Sequence, residues 1–498
     1  MKKTLFYKLL VILLCITLLA LSVVSCGKDE NSDISGENQN AETSAETQSY
    51  DPELPEGINF GGYTFVIAIN SGNIDRNFID RETLNGVRLN DTIYERNSYI
   101  EEKYNCKIDG LTLAGSDNWT QTGTMDALIM AGDNSVDITL PILVQGVAMY
   151  LDQDNLVDLK LSEYLNFDKP WWDTNCIDQI NNFGKIYLAG GDFNMANYER
   201  AWGLFFNYTL LNNYNLELPY THVKNGTWTF DTFKQMCIAV STDLNGDGIW
   251  TGTDDIYGYL PDDDIPFAVL INSGYNLIGK DPETGYPVFD LMNERVYKIL
   301  EDWTVFIQQS PHISPGMDYN QYSQFASYFS SDHALFMSRT LDMALQLGDM
   351  SSDYGIVTHP KFDENQEKYG NFVNQSGTYI AIPKTVKNFD NVCMFIEAMS
   401  ARSSETVLPV FYEQTLCDRY MRDSESVEQL SIILSNLSYN RNLTVFSPVG
   451  GIIEEIFFNG AGAASSLASI EEATKTRIQD VTNVITARVS EKPPVFNG

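Results

Sequence analysis

The chain has 498 residues, of which 43% are hydrophobic and 12% aromatic, so it has enough apolar material for more than one sizeable core. Its 67 acidic residues against 32 basic ones leave a formal charge of −35 at pH 7, which disfavours nucleic acids, anionic lipid surfaces and polyanionic substrates as partners. A neutral or cationic ligand fits this charge balance better.

The first 25 residues have the layout of a secretory signal peptide. Three lysines lie within the first eight residues, and an apolar run follows over 9–24. The run ends on "VVSC", which resembles the bacterial lipobox, where a cysteine receives diacylglycerol before cleavage. We therefore predict a signal peptide over 1–25 and a lipid anchor on Cys26. The alternative is an ordinary secretory peptide with a chance cysteine.

Residues 26–57 are rich in Ser, Asn, Glu, Gln and Asp and contain almost no apolar side chains. Such a composition cannot bury enough surface to fold, so a disordered, lipid-anchored tether is predicted here. The tether favours the lipoprotein interpretation, which implies a location on the outer face of the cytoplasmic membrane. The remaining ~440 residues exceed what one core supports, so two lobes are expected.

The folded part alternates strand and helix patterns in chain order. The predicted strands and helices begin with a strand over 63–69, a helix with an apolar stripe from Leu89 to Tyr104, an extended segment over 106–108, a helix over 124–130 and a strand over 136–144. Later segments include a helix capped by Thr229, strands over 354–358 and 377–382, and helices from Asn391 onward. This alternation predicts an α/β fold with mainly parallel sheets flanked by helices.

Five cysteines remain beyond the signal and the anchor: Cys106, Cys176, Cys237, Cys393 and Cys417. They are odd in number and widely spaced, which does not match a disulfide framework in an exported chain. We expect mostly buried thiols that act as small hydrophobic groups.

The stretch "DLNGDGIWTGTDD" has the spacing of a calcium-binding loop. The predicted ligands, at positions one, three, five, seven, nine and twelve, are Asp243, Asn245, Asp247, the carbonyl of Ile249, Thr251 and Asp254, with Asp255 as a neighbouring contributor. Aspartate replaces the usual glutamate at position twelve, which predicts a lower affinity. A single loop without a partner loop favours a structural Ca²⁺ site over a sensor. The alternative is an acidic surface turn without metal.

Enzymatic motifs are absent from the sequence. It has no His-Glu-x-x-His and no Gly-x-Ser-x-Gly, and its four histidines are widely separated. A phosphate-binding Gly-x-x-x-x-Gly-Lys-Ser/Thr is also absent, because the spacing at Gly274, Gly279 and Lys280 is followed by Asp281. A secreted glycoside hydrolase remains an alternative, because its paired carboxylates need no fixed spacing in the sequence. A calcium-dependent surface carbohydrate adhesin is a second alternative.

Several phrases, in this order, resemble one protein family: "GVRLNDTIYERNSYIEEKYNCKI", "NLVDLKLSEYLNFDKPWWD", "FGKIYLAGGD", "LFFNYTLLNNYNLELPYTHVKNGTWTFDTF", "DYGIVTHPKFDENQEKY" and "GTYIAIPKT". The family is that of the bacterial extracellular solute-binding proteins of ABC importers, in the carbohydrate-type branch. The resemblance implies a type II periplasmic-binding-protein-like fold with two α/β lobes and a cleft between them. It assigns 58–198 and 332–372 to lobe 1, and 199–331 and 373–498 to lobe 2.

The resemblance also implies a monomer that captures a carbohydrate, expected to be an oligosaccharide, and delivers it to the membrane subunits of an ABC permease without covalent chemistry. A peptide ligand stays open. Sugars bind to aromatic platforms and to planar amide, carboxylate and guanidinium groups. The candidates of this type are Trp171, Trp172, Asp192, Asn197, Tyr198 and Arg200. The family's strand-end loops add Asn70, Gln145, Arg339 and Ser376. For the two tryptophans, core packing is the competing interpretation.

Overall fold

The computed structural model describes residues 49–69, 79, 83–115, 118–250, 254–308, 310, 324–439, 447–488 and 492–493. The predicted signal peptide and the anchor Cys26 lie outside these residues, as do Asn70 and Thr251. None of the helices in the described ranges is long and apolar enough to cross a bilayer.

Helices of the described ranges are mostly short, with four of 14 residues or more. In chain order the α-helices are α1 (Arg88–Tyr104), α2 (Asn118–Met130), α3 (Leu143–Leu151), α4 (Thr174–Ile180), α5 (Ala196–Glu199), α6 (Tyr208–Asn213), α7 (Pro219–Asn225), α8 (Phe230–Val240), α9 (Ile265–Asn272), α10 (Glu294–Gln308), α11 (Phe325–Ser330), α12 (Phe389–Arg402), α13 (Leu408–Val410), α14 (Ser424–Ser435), α15 (Ser447–Asn459) and α16 (Ala463–Ala487). Short 3₁₀ helices cover Leu159–Leu161 and Leu341–Leu345, and π-helical turns cover Ser403–Val407 and Phe411–Tyr420.

Within the described residues, the strands form two main sheets and two small ones. They are β1 (Tyr63–Ile69), β2 (Cys106–Thr112), β3 (Ile138–Thr139), β4 (Trp202–Asn207), β5 (Thr242–Asp243), β6 (Asp255–Leu260), β7 (Gly279–Lys280), β8 (Pro287–Val288), β9 (Ala334–Thr340), β10 (Tyr354–Val357), β11 (Asn371–Val373) and β12 (Leu437–Tyr439). The sheet orders are β2-β1-β3, β10-β4-β9-β6-β5, β11-β12 and β7-β8.

The first sheet is parallel, and its core packs against α12. β1 pairs in parallel with β2 and with β3. The ring of Phe65 on β1 stacks on Phe395 of α12 with centroids 4.2 Å apart. The extended segment 377–383 joins this lobe through antiparallel bridges, among them Thr139 to Ala381. The first lobe therefore combines early residues with a segment from late in the chain.

The second sheet is mixed. β4 lies antiparallel to both β10 and β9, whereas β6 runs parallel to β9. Tyr259 on β6 and Phe233 on α8 pack edge to face at 5.1 Å, inside an aromatic core that also contains Trp303 of α10. Helices α8, α10, α14 and α15 cover this lobe.

These strand pairings divide the chain between the two lobes differently from the division that was expected. The segment 332–372 was assigned to the first lobe, but β9 and β10 lie within it and both bond to β4 of the second lobe. Conversely, 377–402 was assigned to the second lobe, but it bonds to β3 and packs its helix α12 on β1. The assignment was wrong because backbone pairing partners cannot be read from strand order alone.

The chain passes between the lobes at adjacent points. Ala201 and Val373 form an antiparallel bridge, and the backbone N–H of Asn374 donates to the carbonyl of Arg200 at 2.9 Å. The chain crosses between the lobes a third time after α12, at Ser403. The hydroxyl of Ser403 accepts a hydrogen bond from the buried Arg96 of α1 at 3.0 Å. Burial lowers the pKa of Arg96 to about 9. Paired crossing strands of this kind allow two lobes to move about a hinge.

Two local predictions also need correction. The strand expected over 136–144 is confined to β3, and α3 begins at Leu143 shortly after Pro141, because proline cannot donate in a continuing ladder. The predicted tether, 26–57, extends too far toward the C-terminus. Glu53 forms an ion pair with Lys169, and Leu54 packs against the core of the first lobe.

Other predictions are confirmed. β1, α1 and the extended segment that starts β2 lie where the sequence patterns predict them. Thr229 caps α8 by accepting a hydrogen bond from the backbone N–H of Thr232. Four of the five cysteines are buried and lie outside any disulfide, and the fifth, Cys417, is partly exposed.

Candidate ligand-binding site

A pocket of about 320 Å³ lies where the crossing strands meet the carboxyl ends of β6 and β9. Its lining is predominantly polar and is formed by Arg200, Asp262, Ala326, Arg339, Thr340, Asp342, Met343, Gln346 and Asn374. Ligands of α/β folds bind outside the carboxyl ends of strands, because loops there can vary while the sheet holds them in place. The pocket contains two of the predicted ligand residues, Arg200 and Arg339.

Arg339 forms a buried ion pair with Asp262. Its Nη1 lies 3.2 Å from Oδ2 of Asp262, and each side chain is only 4% exposed. The same nitrogen also donates to the carbonyls of Pro261 and Ser338. Burial raises the pKa of Asp262 well above its usual value, an effect that Arg339 opposes. Because Arg339 has several acceptors within the protein, it is held in one orientation beside the pocket.

Asp262 begins a run of three carboxylates after β6. Oxygens of Asp262, Asp263 and Asp264 lie within 4.8 Å of one another. Asp264 accepts a hydrogen bond from Nδ2 of Asn374 and another from Nε2 of Gln375, both at 2.8 Å. Burial and the charge of Asp263 raise the pKa of Asp264 to about 7. This run thus connects a strand end of the second lobe to the crossing strand.

Arg200 and Asp342 form the second ion pair of the pocket. Nη1 of Arg200 lies 3.5 Å from Oδ2 of Asp342, and about a quarter of each side chain is exposed. The other oxygen, Oδ1, accepts a hydrogen bond from Oγ1 of Thr340 at 2.5 Å. Compared with the buried pair of Arg339, this pair is longer and faces solvent.

Ser376 and Asn197 shape the second crossing strand. Both the backbone N–H and the hydroxyl of Ser376 donate to Oδ1 of Asn374, at 3.0 and 2.6 Å. Gly377 passes so close to the buried Asn197 that a Cβ there would lie 2.4 Å from its Oδ1. The absence of a side chain at Gly377 is therefore what allows the two crossing segments to pack together.

Tyr198 and Asp192 lie just before the first crossing strand. The Tyr198 hydroxyl donates to Oδ1 of Asp192 at 3.3 Å. Burial and the Asp192 carboxylate raise the pKa of Tyr198 well above its usual value, so the phenol stays protonated. Neither side chain is among the residues that line the pocket, and their ligand contact stays a prediction.

Trp171 and Trp172 lie in the core of the first lobe. Both side chains are completely buried, and both indole N–H groups donate to the carboxylate of Glu397 on α12, each at 3.0 Å. Burial raises the pKa of Glu397 to about 7. Packing therefore accounts for these tryptophans, which is the interpretation that competed with ligand contact. Their backbone still reaches the crossing region, because the carbonyl of Trp171 accepts from the N–H of Asp192.

The other predicted residues are not brought to the pocket. Gln145 lies in the first turn of α3 and is partly buried, and it does not line the pocket. Asn70 falls outside the described residues, so its role stays a prediction.

Sequence reasoning missed five polar residues that line the pocket: Asp262, Thr340, Asp342, Gln346 and Asn374. Two signals could have indicated some of them. The run "PDDD" directly follows the strand pattern "YGYL", and "TLD" follows Arg339 at the end of another strand. Polar residues at consecutive strand ends meet at one edge of a sheet, but which strands are neighbours depends on the pairing.

The predicted calcium loop lies on the second lobe, between α8 and β6. Each oxygen of Asp243 accepts a backbone N–H, one from Gly246 at 2.6 Å and one from Gly248 at 2.9 Å. Both glycines have φ near +75°, which a side chain would disfavour. Asn245 and Asp247 each accept the N–H two residues further on. These side chains therefore hold the loop in a tight turn by accepting its backbone N–H groups.

The two ends of the loop are held together by the pairing of β5 with β6 and by Asp255. Asp255 is completely buried, and its Oδ1 accepts the backbone N–H of Leu244 at 3.1 Å. In the β5–β6 ladder it lies opposite Asp243. Asp254 and Ile249 are exposed at the surface, and Thr251 is outside the described residues. The donor set of carboxylate, amide and carbonyl oxygens fits the preference of Ca²⁺ for hard ligands.

Neither a family model nor a curated protein matches this chain. Solved structures do match it. A sugar transporter from Rhizobium etli in an open conformation aligns with a TM-score of 0.56 at 14% identity, covering 83% of this chain and 99% of that one. An ABC transporter solute-binding protein from Thermotoga lettingae, bound with α-D-tagatose, aligns with a TM-score of 0.53 at 12% identity, covering 84% and 100%.

A maltose-binding periplasmic protein from Listeria monocytogenes, in complex with maltose, aligns with a TM-score of 0.52 at 14% identity, covering 86% of this chain and 99% of that one. Each match spans nearly the whole of the other protein. Identities this low establish the fold alone. The chain therefore has the two-lobed α/β fold of the type II solute-binding proteins, as the resemblance of its sequence predicted.

Proposed function

We propose that this protein is the extracytoplasmic substrate-binding component of an ABC transporter and that it captures a carbohydrate, expected to be an oligosaccharide, in the pocket at the crossing strands. The observation that carries the proposal is the pocket itself. It combines guanidinium, carboxylate and amide groups at the junction of two lobes, in a fold that solved sugar-binding proteins share.

The chemistry of the lining suits sugars. Carboxylate, amide and guanidinium groups are planar and can each hydrogen-bond two neighbouring hydroxyls. Arg200 and Asn374 lie on the crossing strands, whereas Asp342 follows β9 of the second lobe, so a bound ligand would contact both the hinge and a lobe. Closure of the lobes over such a ligand would shield it from water, and the permease would recognise the closed form.

We further propose that the mature protein is a monomer held on the outer face of the cytoplasmic membrane by a lipid on Cys26. The signal-like leader and the polar tether in the sequence support this location. Metabolic labelling with a radioactive fatty acid should label the wild-type protein and not Cys26→Ala. Equal labelling of both would contradict the anchor.

Glycoside hydrolysis is the alternative that the pocket argues against. Of its carboxylates, Asp262 is ion-paired with Arg339, and Asp342 is ion-paired with Arg200 and hydrogen-bonded to Thr340. A general acid must be free to give its proton to the leaving group, and a nucleophile must face the sugar. Asp262 is only 4% exposed, which leaves Asp342 as the one carboxylate among the described lining residues that a sugar can reach, where hydrolysis needs two.

The calcium loop is proposed to hold a structural Ca²⁺, with Asp243, Asn245, Asp247, the Ile249 carbonyl, Thr251 and Asp254 as ligands. The bound ion would neutralise the acidic loop and join the end of α8 to the start of β6. Asp255 would support the loop indirectly, since it bonds the Leu244 N–H.

A thermal-shift screen of the mature chain against mono- and oligosaccharides, with and without calcium, tests the proposed function. A ligand that binds only the folded state raises Tm, by an amount that grows with its concentration over Kd. Arg200→Ala should remove most of the sugar-induced shift, whereas Arg88→Ala, on an exposed face of α1, should keep it. If no sugar raises Tm, or if hydrolysis products accumulate, the proposal fails.

A further inference from the structure

Each arginine of the pocket has a carboxylate partner inside the protein. Arg339 is paired with Asp262 at 3.2 Å, and Arg200 is paired with Asp342 at 3.5 Å. Oxygens of Asp263 and Asp264 lie within 4.8 Å of the Asp262 carboxylate, so the Arg339 pair has further acidic groups beside it. Each of the two arginines among the described lining residues is therefore matched by a carboxylate, and neither offers an incoming ligand an uncompensated positive charge.

The two ion pairs differ in how firmly they are held. Arg339 is buried, donates to two carbonyls as well, and lies 5.8 Å from the ring of Phe325. Arg200 and Asp342 are partly exposed at the pocket, and their separation is longer. Arg200 is thus the arginine that a ligand can reach, and Asp342 is the group that neutralises it.

An acidic sugar would meet this arrangement unfavourably. A uronic acid or a sulfated sugar would compete with Asp342 for Arg200 and would place a second negative charge near the existing carboxylate. Removing water from like charges at close range strengthens their repulsion. A hydroxyl or an ammonium group at the same position can instead hydrogen-bond to Asp342 without displacing Arg200.

We infer that Asp342 is a specificity-determining residue, which makes the pocket select neutral or basic amino sugars and reject acidic ones. This inference rests on the proposed carbohydrate-binding function, and it adds the charge class of the ligand. The chain's net charge of −35 also repels an approaching anion and so disfavours acidic sugars.

Binding of matched probes by calorimetry tests the inference. The probes are cellobiose and maltose, the same disaccharides with a uronic acid at the non-reducing end, and fully deacetylated chitobiose. The wild-type protein should bind a neutral or amino disaccharide at least about tenfold more tightly than the uronic acid form. In Asp342→Asn the ratio of acidic to neutral affinity should rise by at least about tenfold, because Arg200 then lacks its carboxylate partner.

Two further variants isolate the cause. Asp349→Asn makes the same change of net charge at an exposed residue outside the pocket and should leave the ratio unchanged. Arg200→Gln combined with Asp342→Asn should bring the ratio back toward the wild-type value, because the gain for acidic sugars needs the guanidinium. If Asp342→Asn does not fold, Asp342→Ser serves instead and should show the same direction.

The outcomes separate the two proposals. A wild-type protein that prefers the uronic acid form, or an Asp342→Asn variant with an unchanged ratio, overturns the specificity role while carbohydrate binding stands. Failure of every neutral, basic and acidic sugar to bind counts against the carbohydrate function itself.

Discussion

Two carboxyl groups, Glu397 in the first lobe and Asp264 beside the pocket, have the same raised pKa of about 7. Each accepts hydrogen bonds from two side-chain N–H donors at 2.8 to 3.0 Å. Their donors differ in origin. The donors to Glu397 are indoles in the core of its own lobe, whereas Asn374 and Gln375 lie on the strand that links the lobes.

The difference shows that one chemical group in similar polar surroundings can serve different purposes. Glu397 fixes the packing of one lobe, so its loss should appear as lost stability. Asp264 connects the second lobe to the crossing strand, so its loss should appear mainly in ligand affinity. The following predictions test this contrast, from the largest expected effect to the smallest.

Replacing Glu397 with alanine should lower the free energy of unfolding by about 3 to 5 kcal/mol. The change leaves two buried indole N–H groups without an acceptor and opens a cavity beneath them. Urea unfolding of the mature protein measures the effect. Glu301→Ala, on the exposed face of α10, is the matched control and should stay within about 0.5 kcal/mol of the wild type. A loss below about 1 kcal/mol in Glu397→Ala would contradict the proposed role of the indole bonds.

The raised pKa of Glu397 predicts a pH dependence of stability. The folded state keeps its proton up to about pH 7, whereas the unfolded state loses it near the ordinary value of 4.5. Ionisation in the folded state is therefore unfavourable, and stability should fall as pH rises from 5 to 8. Relative to Glu397→Gln, the wild-type protein should lose roughly 2 to 3 kcal/mol over that range. Parallel stability curves for the two proteins would disprove this.

Removal of calcium should lower stability more than it alters the choice of ligand. When the concentration of free Ca²⁺ is one hundred times Kd, its binding raises the free energy of unfolding by about 2.7 kcal/mol. Chelation should therefore lower Tm of the wild type, and Asp243→Asn should show a smaller response to added calcium. An unchanged Tm on chelation would favour the interpretation of the loop as an acidic turn without metal.

Asp264→Asn should have the smallest effect on unfolding, about 1 kcal/mol, because one of its two amide bonds can persist. The sugar affinity should nevertheless fall several-fold, since the crossing strand loses part of its link to the pocket. Calorimetric titration of the variant with the best sugar from the screen measures this. A large loss of stability with unchanged affinity would reverse the contrast with Glu397.

Much of the local structure could be predicted from the sequence. β1, α1 and the Thr229 cap follow from short-range patterns, in which apolar spacing and a capping hydroxyl act within a few residues. The spacing of the predicted calcium loop is also a short-range pattern, and calcium binding by it stays a prediction. The lobe division was not predictable in this way, since β9 pairs with β4 more than a hundred residues earlier.

The candidate site shows the same limit. Arg200 and Arg339 were predicted and both line the pocket, but their carboxylate partners were not. Trp171 and Trp172 looked like sugar platforms because aromatic rings serve both cores and ligand sites. Only the tertiary structure shows the Glu397 carboxylate that holds them in the core.

The sequence by itself determined the class of fold, the charge of the chain and the calcium-loop spacing, because composition and short-range periodicity carry that information. The tertiary structure alone decided which strands share a sheet, which tryptophans are buried and which acid faces each arginine. These depend on contacts between residues far apart in the chain, and those contacts form only when the lobes pack.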